Sequence, residues 1–240
     1  EVIMNYNTSK FINDLNAIGI ALSNLQIQHF ITYYEMLVEK NKVMNLTAIT
    51  DFDEVIEKHF EDSLSLIQAV DLRKSQTVID LGTGAGFPGI PLKIAFPELQ
   101  ITLADSLNKR ILFLNDVIQK LELERIETVH GRAEDLAKNA KYREQFDLCV
   151  SRAVANLSTL SEYCLPFVKI GGKFVSYKAG ECDEEVTASK SSVFLLGGKI
   201  SDVKKFELGE SKRAFVIIDK VSGTPKKYPR KAGTPSKDPL

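Results

Sequence analysis

No apolar run in this 240-residue chain approaches the ~20 residues that a membrane-spanning helix needs, so no membrane partner is expected. The first ten residues, Glu1 to Lys10, are polar and lack the apolar core of a secretory signal. Cysteine is scarce. Cys149, Cys164 and Cys182 are odd in number and far apart, which suits neither a disulfide framework nor a zinc site and points to a reducing cytoplasm. There is no Ser-His-Asp spacing, no reactive-cysteine motif and no metal-ligand cluster, so neither a covalent nucleophile nor a metal is expected. Internal repeats are absent as well. What remains is ordinary for a soluble globular protein, 44% hydrophobic and 26% charged, and long enough for one domain with a helical extension.

The net charge of −1 is unevenly spread. Residues 1–70 hold ten acids and four bases, while residues 221–240 hold five bases (Lys226, Lys227, Arg230, Lys231 and Lys237) and one acid, Asp238. A basic end on a neutral body fits a polyanionic partner, and equally a solubilising tail. The stretch 222–240 holds four prolines and no apolar periodicity, so it is expected to be extended.

Residues 1–72 carry helical stripes and form an expected N-terminal helical extension. Phe11, Leu15, Ile18 and Leu22 make the first stripe. Ser23 with Gln26 reads as a capping box opening a second, through Ile27, Phe30, Ile31, Tyr34, Leu37 and Val38. Asn41 to Thr50 reads as a connection. A third stripe runs through Val55, Ile56, His59, Phe60, Ser63, Leu64 and Ile67, capped by Thr50 or Asp51. From 73 to 221 the pattern alternates strand and helix, with strands expected at 77–81, 100–104, 126–130, 146–151, 173–177, 200–206 and 213–219. Such alternation predicts an α/β fold with a mostly parallel sheet covered on both faces. No helix separates the last two strands, so they are expected to pair as an antiparallel hairpin at one edge.

The richest segment is Val78-Ile-Asp-Leu-Gly-Thr-Gly-Ala-Gly-Phe-Pro-Gly89. A buried strand ends at Asp80 and turns into a helix through Gly82, Gly84, Gly86 and Gly89. Gly84 to Gly89 matches G-x-G-x-x-G, and Asp105 follows about 20 residues on, where an acid would hold a ribose. This alone is shared by several cofactor classes, NAD(P)-dependent oxidoreductases among them. Asp80 disfavours a pyrophosphate and suits an ammonium group. With Gly82 it makes D-x-G-x-G-x-G, which suits an adenosine bearing an amino acid, S-adenosylmethionine, whose carboxylate can take backbone N–H groups. Asp105 then holds the ribose or caps the helix before Leu107. The segment Gly131-Arg132-Ala133-Glu134 edges an adenine or simply starts a helix. Arg152 clamps the cofactor, faces the target, or pairs with Asp80, Glu134 or Asp147. His59 is a core histidine or a substrate-side group oriented by Asp62. Lys109 and Arg110 meet phosphate or lie on a solvated helix face.

Together these motifs resemble class I S-adenosylmethionine-dependent methyltransferases, and more closely the bacterial family of small-subunit ribosomal RNA methyltransferase G. The resemblance covers nearly the whole chain. It rests on Asn45-Leu-Thr47, His59-Phe-x-Asp-Ser63, the Asp80–Pro91 loop, Asp105-Ser-Leu-x-Lys-Arg110, Gly131-Arg-Ala-Glu134, Ser151-Arg-Ala153 and Lys227-Tyr-Pro-Arg-x-x-Gly-Thr-Pro235. It implies a Rossmann-like sheet of seven strands. It implies methylation of one guanine at N7 in the 530 loop of 16S ribosomal RNA, in the 30S subunit or its precursor, by a monomer. By matching motif, the cofactor shell is Gly82, Gly84, Phe87, Asp105, Ala133, Glu134 and Arg152, beside Asp80 and Gly86 from the loop itself. Arg152 and His59 are the candidate catalytic groups, and Lys109, Arg110, Lys226, Lys227, Arg230 and Lys231 the candidate RNA contacts. A non-catalytic RNA-binding module on a relic cofactor fold is a further alternative, disfavoured by the intact glycines and acids. Deleting 222–240 is expected to weaken RNA binding and spare the cofactor.

Overall fold

The computed structural model describes residues 6–240; residues 1–5 of the expected helical extension and polar N-terminus lie outside them. Strands β1 (Thr77–Leu81), β2 (Gln100–Asp105), β3 (Ile126–His130), β4 (Phe146–Ser151), β5 (Val168–Ala179), β6 (Gly198–Leu208) and β7 (Ser211–Lys220) form one sheet in the order β3-β2-β1-β4-β5-β7-β6. The first five run parallel, and β7 lies antiparallel between β5 and β6. All seven expected strands are present, and the final hairpin closes one edge. The chain order reverses between β1 and β4, which opens a crevice beyond their C-terminal ends, the usual ligand position in open α/β sheets.

The helices are α1 (Ser9–Ala17), α2 (Asn24–Met44), α3 (Phe52–Val55), α4 (Asp62–Leu64), α5 (Gly89–Ala95), α6 (Asn108–Lys120), α7 (Ala133–Leu136), α8 (Leu157–Cys164), α9 (Asp183–Ala188), α10 (Lys190–Leu195) and α11 (Thr234–Lys237). The capping box is formed: Gln26 N–H donates to Ser23 Oγ, and Ser23 N–H to Gln26 Oε1. The Gln26 amide also donates to the carbonyls of Ile94 and Ala95, closing the open end of α5. Asp51, rather than Thr50, caps α3 through the Glu54 N–H. Between α3 and α4 the chain widens into a π-turn, Ile56–Glu61, and a 3₁₀ turn, Ser65–Gln68, ends the run.

The N-terminal helices do not form a separate core. Phe11, Phe30, Tyr33 and Phe60 pack with Val78, Leu103, Ile111 and Leu114 on one face of the sheet. The other face buries Leu157, Leu160, Phe167, Phe174, Val216 and Tyr228. Tyr228 belongs to the segment expected to run free. Instead, residues 222–240 are strapped to the domain. Arg143 donates to the carbonyls of Thr224, Pro225 and Tyr228. Arg230 grips the fully buried Glu162 with its backbone N–H, Nε and Nη2. Composition predicted an extended tail because proline-rich polar segments rarely nucleate structure; here their backbone carbonyls and one arginine find buried partners. Among the described residues no helix is long and apolar enough to cross a membrane.

Candidate functional site

A cleft of about 530 Å³ opens at the C-terminal ends of β1, β2, β3 and β4. Its walls include Gly82, Asp105, Ala133, Glu134, Ser151 and Tyr163. This volume is in the range of small-molecule sites.

The glycine turn shapes one side. Gly82, Gly84 and Gly86 have φ of +71°, +62° and +109°, a region that costs other L-residues energy. A Cβ on Gly84 would meet nothing within 4 Å, whereas on Gly89 it would fall 2.2 Å from Leu103 Cδ2 and 2.8 Å from Asp80 Oδ2. One glycine therefore keeps space open and the other allows helix and strand to touch. Tyr33 of α2 donates to the Ala85 carbonyl at 2.6 Å, tying the N-terminal helices to the turn.

Asp80 is fully buried behind this turn. Its Oδ2 accepts Thr83 Oγ1–H at 2.7 Å and the Gly89 N–H at 2.8 Å, while Oδ1 has no partner among the described residues. Burial pushes its carboxyl up to about 7, against the pull of those two hydrogen bonds and of Arg152. Asp80 does not line the cleft. The expected carboxylate cradle is altered too. The N–H groups of Gly82 and Thr83 donate to the Ala104 carbonyl, and that of Gly84 to Asp105 Oδ2 at 2.9 Å.

Asp105 stands at the cleft wall with both carboxylate oxygens engaged. Its Oδ1 accepts the Leu107 N–H at 2.9 Å, the turn role, and Oδ2 braces Gly84 while the side chain stays at the cleft wall. Arg110 reaches Oδ2 at 3.3 Å, so this base is engaged at the cleft, while Lys109 is exposed. Ala133 lines the cleft, and Glu134, 5% exposed, accepts the Gly233 N–H at 2.8 Å through Oε1. Gly233 and Ser236 thereby join the lining. Sequence reasoning missed these two, together with Tyr163 and Leu160. The Gly-Thr-Pro motif at 233–235 was the available signal.

Arg152 and His59 lie elsewhere than the cleft wall. Arg152 pairs with none of Asp80, Glu134 or Asp147. Its partner is Asp62, at 3.3 Å, and Asp62 also takes Arg213 at 2.7 Å. The guanidinium donates to the Lys58 and His59 carbonyls and to Ser63 Oγ, which ties the end of β4 to the π-turn. Phe87, expected on the open loop, is 8% exposed, packed against Tyr33 and Phe60. The His59 ring stacks on Phe87 at 4.4 Å, and Arg152 lies 5.5 Å above the same ring. His59 Nε2 is 2.9 Å from Thr47 Oγ1. Burial, then the Arg152 charge, lowers its pKa to about 4, so it is neutral at pH 7. Asp62 is taken up by two arginines and does not orient His59 as expected. A loop glycine run gives no hint that its phenylalanine will turn inward; the aromatic cluster of the N-terminal helices provides the place. Of the basic end, Lys226, Lys227 and Lys231 are exposed, and Arg230 is bound to Glu162.

The cleft's chemistry suits a ligand with a diol and a flat ring. Asp105 offers acceptors at one end, Leu81, Ala133, Leu160 and Tyr163 offer largely apolar surface, and Gly84 leaves space beside the turn. Sheet order, terminal hairpin and cleft position define the fold of class I S-adenosylmethionine-dependent methyltransferases. A solved structure titled as a SAM dependent methyltransferase from Aquifex aeolicus shares it, with a TM-score of 0.52 and 19% identity over 70% of this chain and 93% of that one. The family model described as "GidB: rRNA small subunit methyltransferase G" matches residues 26–216, and the chain belongs to that family. Curated relatives agree. A "Ribosomal RNA small subunit methyltransferase G" of an Exiguobacterium species is 53% identical over 98% of this chain and 99% of its own length. One of Lachnoclostridium phytofermentans is 50% identical over 98% of each.

Proposed function

We propose that this protein transfers a methyl group from S-adenosylmethionine to N7 of one guanine in the 530 loop of 16S ribosomal RNA. The reading is carried by one juxtaposition: Asp105, Gly82 of the glycine turn and the Ala133–Glu134 segment share a cleft in a chain of this family. When bound, the donor supplies an electrophilic methyl, which passes in line to the N7 lone pair while the sulfur leaves as the thioether of S-adenosylhomocysteine. Guanine N7 is an acceptor that needs no deprotonation, which agrees with a cleft lacking a nucleophile–base pair. No metal takes part.

Asp105 holds the ribose hydroxyls through lone pairs that Gly84 and Leu107 leave over. Ala133 and Glu134 would border the adenine of a bound donor, in a cleft that Leu160 and Tyr163 also line. The unpartnered Oδ1 of Asp80 favours an ammonium beyond the turn, through water or a shift of the turn. Arg152, His59 and Phe87 act from behind, as a stack that fixes the turn and the 52–68 segment; the work is positioning. His59, neutral, is no proton carrier in this scheme. Exposed Lys109, Lys226, Lys227 and Lys231 hold phosphates. N7 lies in the deep groove of A-form RNA, so the target sits in a loop or is flipped out. The substrate is the 30S subunit or its precursor, and the enzyme works as a cytoplasmic monomer.

The test is mass spectrometry of 16S RNA, free and within 30S particles, after incubation with methyl-labelled donor. Label as 7-methylguanine in the 530 loop is the expected result. Label at another base, or unlabelled RNA beside a donor-binding preparation, overturns it. Tight NAD binding with no response to S-adenosylhomocysteine would select the oxidoreductase alternative.

A further inference from the structure

Glu61 sits at the end of the π-turn, away from the methyl-donor cleft, and is 3% exposed. Its Oε1 is buried and has no hydrogen-bond partner among the described residues. A buried carboxylate oxygen without a partner loses the solvation it had in water. The side chain lines an open pocket of about 330 Å³ between α1, the end of the π-turn and the tip of the β6–β7 hairpin. None of its lining residues is shared with the cleft above.

The cavity has two kinds of wall. Leu15, Ile18, Phe206 and Leu208 contribute apolar side chains. Asp14, Glu61 and Glu207 contribute acids, and Glu57 stands close by, 3.9 Å from Lys10. Lys10 is the one basic side chain in the lining, and it is held at 2.6 Å by Asp14. Acids therefore outnumber bases around an unsatisfied oxygen. Burial, opposed by Lys10 and reinforced by Asp14 and Glu57, pushes the Glu61 carboxyl up to about 7.

We propose that this cavity binds a small organic amine, its ammonium donating to Glu61 Oε1 and its carbon chain lying on Leu15, Ile18 and Phe206. An ammonium provides both missing elements, a hydrogen-bond donor and a compensating charge. A bare metal ion would leave the apolar wall without a partner, and a neutral alcohol would leave the charge uncompensated.

The test is calorimetric titration of the full chain with 1,4-diaminobutane and n-butylamine, with n-butanol and potassium chloride at matched ionic strength as controls. Saturable one-site binding of either amine is expected, weakened at least about tenfold in Glu61→Gln and unaffected by S-adenosylhomocysteine in the other cleft. Asp14→Asn removes a second acid of the lining but keeps Glu61, so it should weaken amine binding less than Glu61→Gln does; a larger loss than in Glu61→Gln would count against Glu61 as the acceptor. Cofactor affinity equal to that of the parent chain checks that each variant is folded. Absence of saturable amine binding, unchanged affinity in Glu61→Gln, or equal displacement by potassium would overturn the proposal.

Discussion

Asp105→Ala separates the turn contacts of this carboxylate from the ribose contact proposed for it. The substitution removes acceptors for the Gly84 and Leu107 N–H groups, both at 2.9 Å, and the partner of Arg110 at 3.3 Å. Leaving a part-buried N–H unpaired costs about 1–3 kcal/mol. Leu107 is exposed and can turn to water, so most of the stability loss falls on the Gly84 brace. Losing a hydrogen bond to a charged group at the ribose costs about 1.5–3 kcal/mol, or about 10- to 150-fold in Kd. Calorimetric titration with S-adenosylhomocysteine measures the second loss, and urea denaturation of the unliganded protein the first. Arg110→Gln is the companion: its guanidinium reaches Asp105 Oδ2 at 3.3 Å, longer than a good charge-assisted hydrogen bond, so its Kd should move less than that of Asp105→Ala. If Asp105→Ala lowered stability but left Kd unchanged, Asp105 would be a turn former only, and the assignment of the ribose to it would fail.

Three further outcomes are expected. Reversing Lys226, Lys227 and Lys231 to Glu should weaken RNA binding and flatten its salt dependence by roughly 0.7–0.9 per lost phosphate contact, with unchanged thermal stability; equal affinity at matched salt would refute their role. These exposed lysines replace truncation as the test, because removing 222–240 also removes Gly233 and Ser236 from the cleft, so the deletion should impair cofactor binding too. Arg230→Ala should destabilise the fold by about 3–5 kcal/mol in urea denaturation, since it strands the buried Glu162 charge; a loss near zero would mean the strap is not structural. Two groups set opposite pH trends. His59 has a folded pKa of about 4, below its ordinary 6.5, so the unfolded chain takes the proton first and stability is lost as pH falls from about 6.5 towards 4. Asp80 holds its proton up to about 7, above its ordinary 3.8, so its contribution is full in acid and is lost as pH rises through 7. Thermal unfolding of His59→Gln and Asp80→Asn across this range should show each trend removed; parallel curves for variant and parent would refute the assignment.

Strand positions were legible because short apolar runs between turns and helical stripes are a local property, and β1, β2 and β4 are buried almost throughout. The Ser23 capping box, a helix start at Thr50 or Asp51 and the turn at Gly82–Gly89 were legible for the same reason: each needs particular residues within a few positions of one another. The candidate cleft was legible in part, since ligands in this topology gather at strand ends, and Gly82, Asp105, Ala133 and Glu134 all line it. What composition alone could not decide was partnership across the chain. Arg152 had three acids within reach by sequence, and took Asp62, 90 residues away, because the fold brings that carboxylate and the Lys58 and His59 carbonyls to it. Phe87 turned into the core because Tyr33, Phe60 and His59 offered it a place there. The basic end became a strap because Glu162, buried on another helix, needed a countercharge. Local spacing determined the elements and the turn; buried charges and aromatic rings, which find partners only once the chain has closed, decided which residues face the cleft and which hold it from behind.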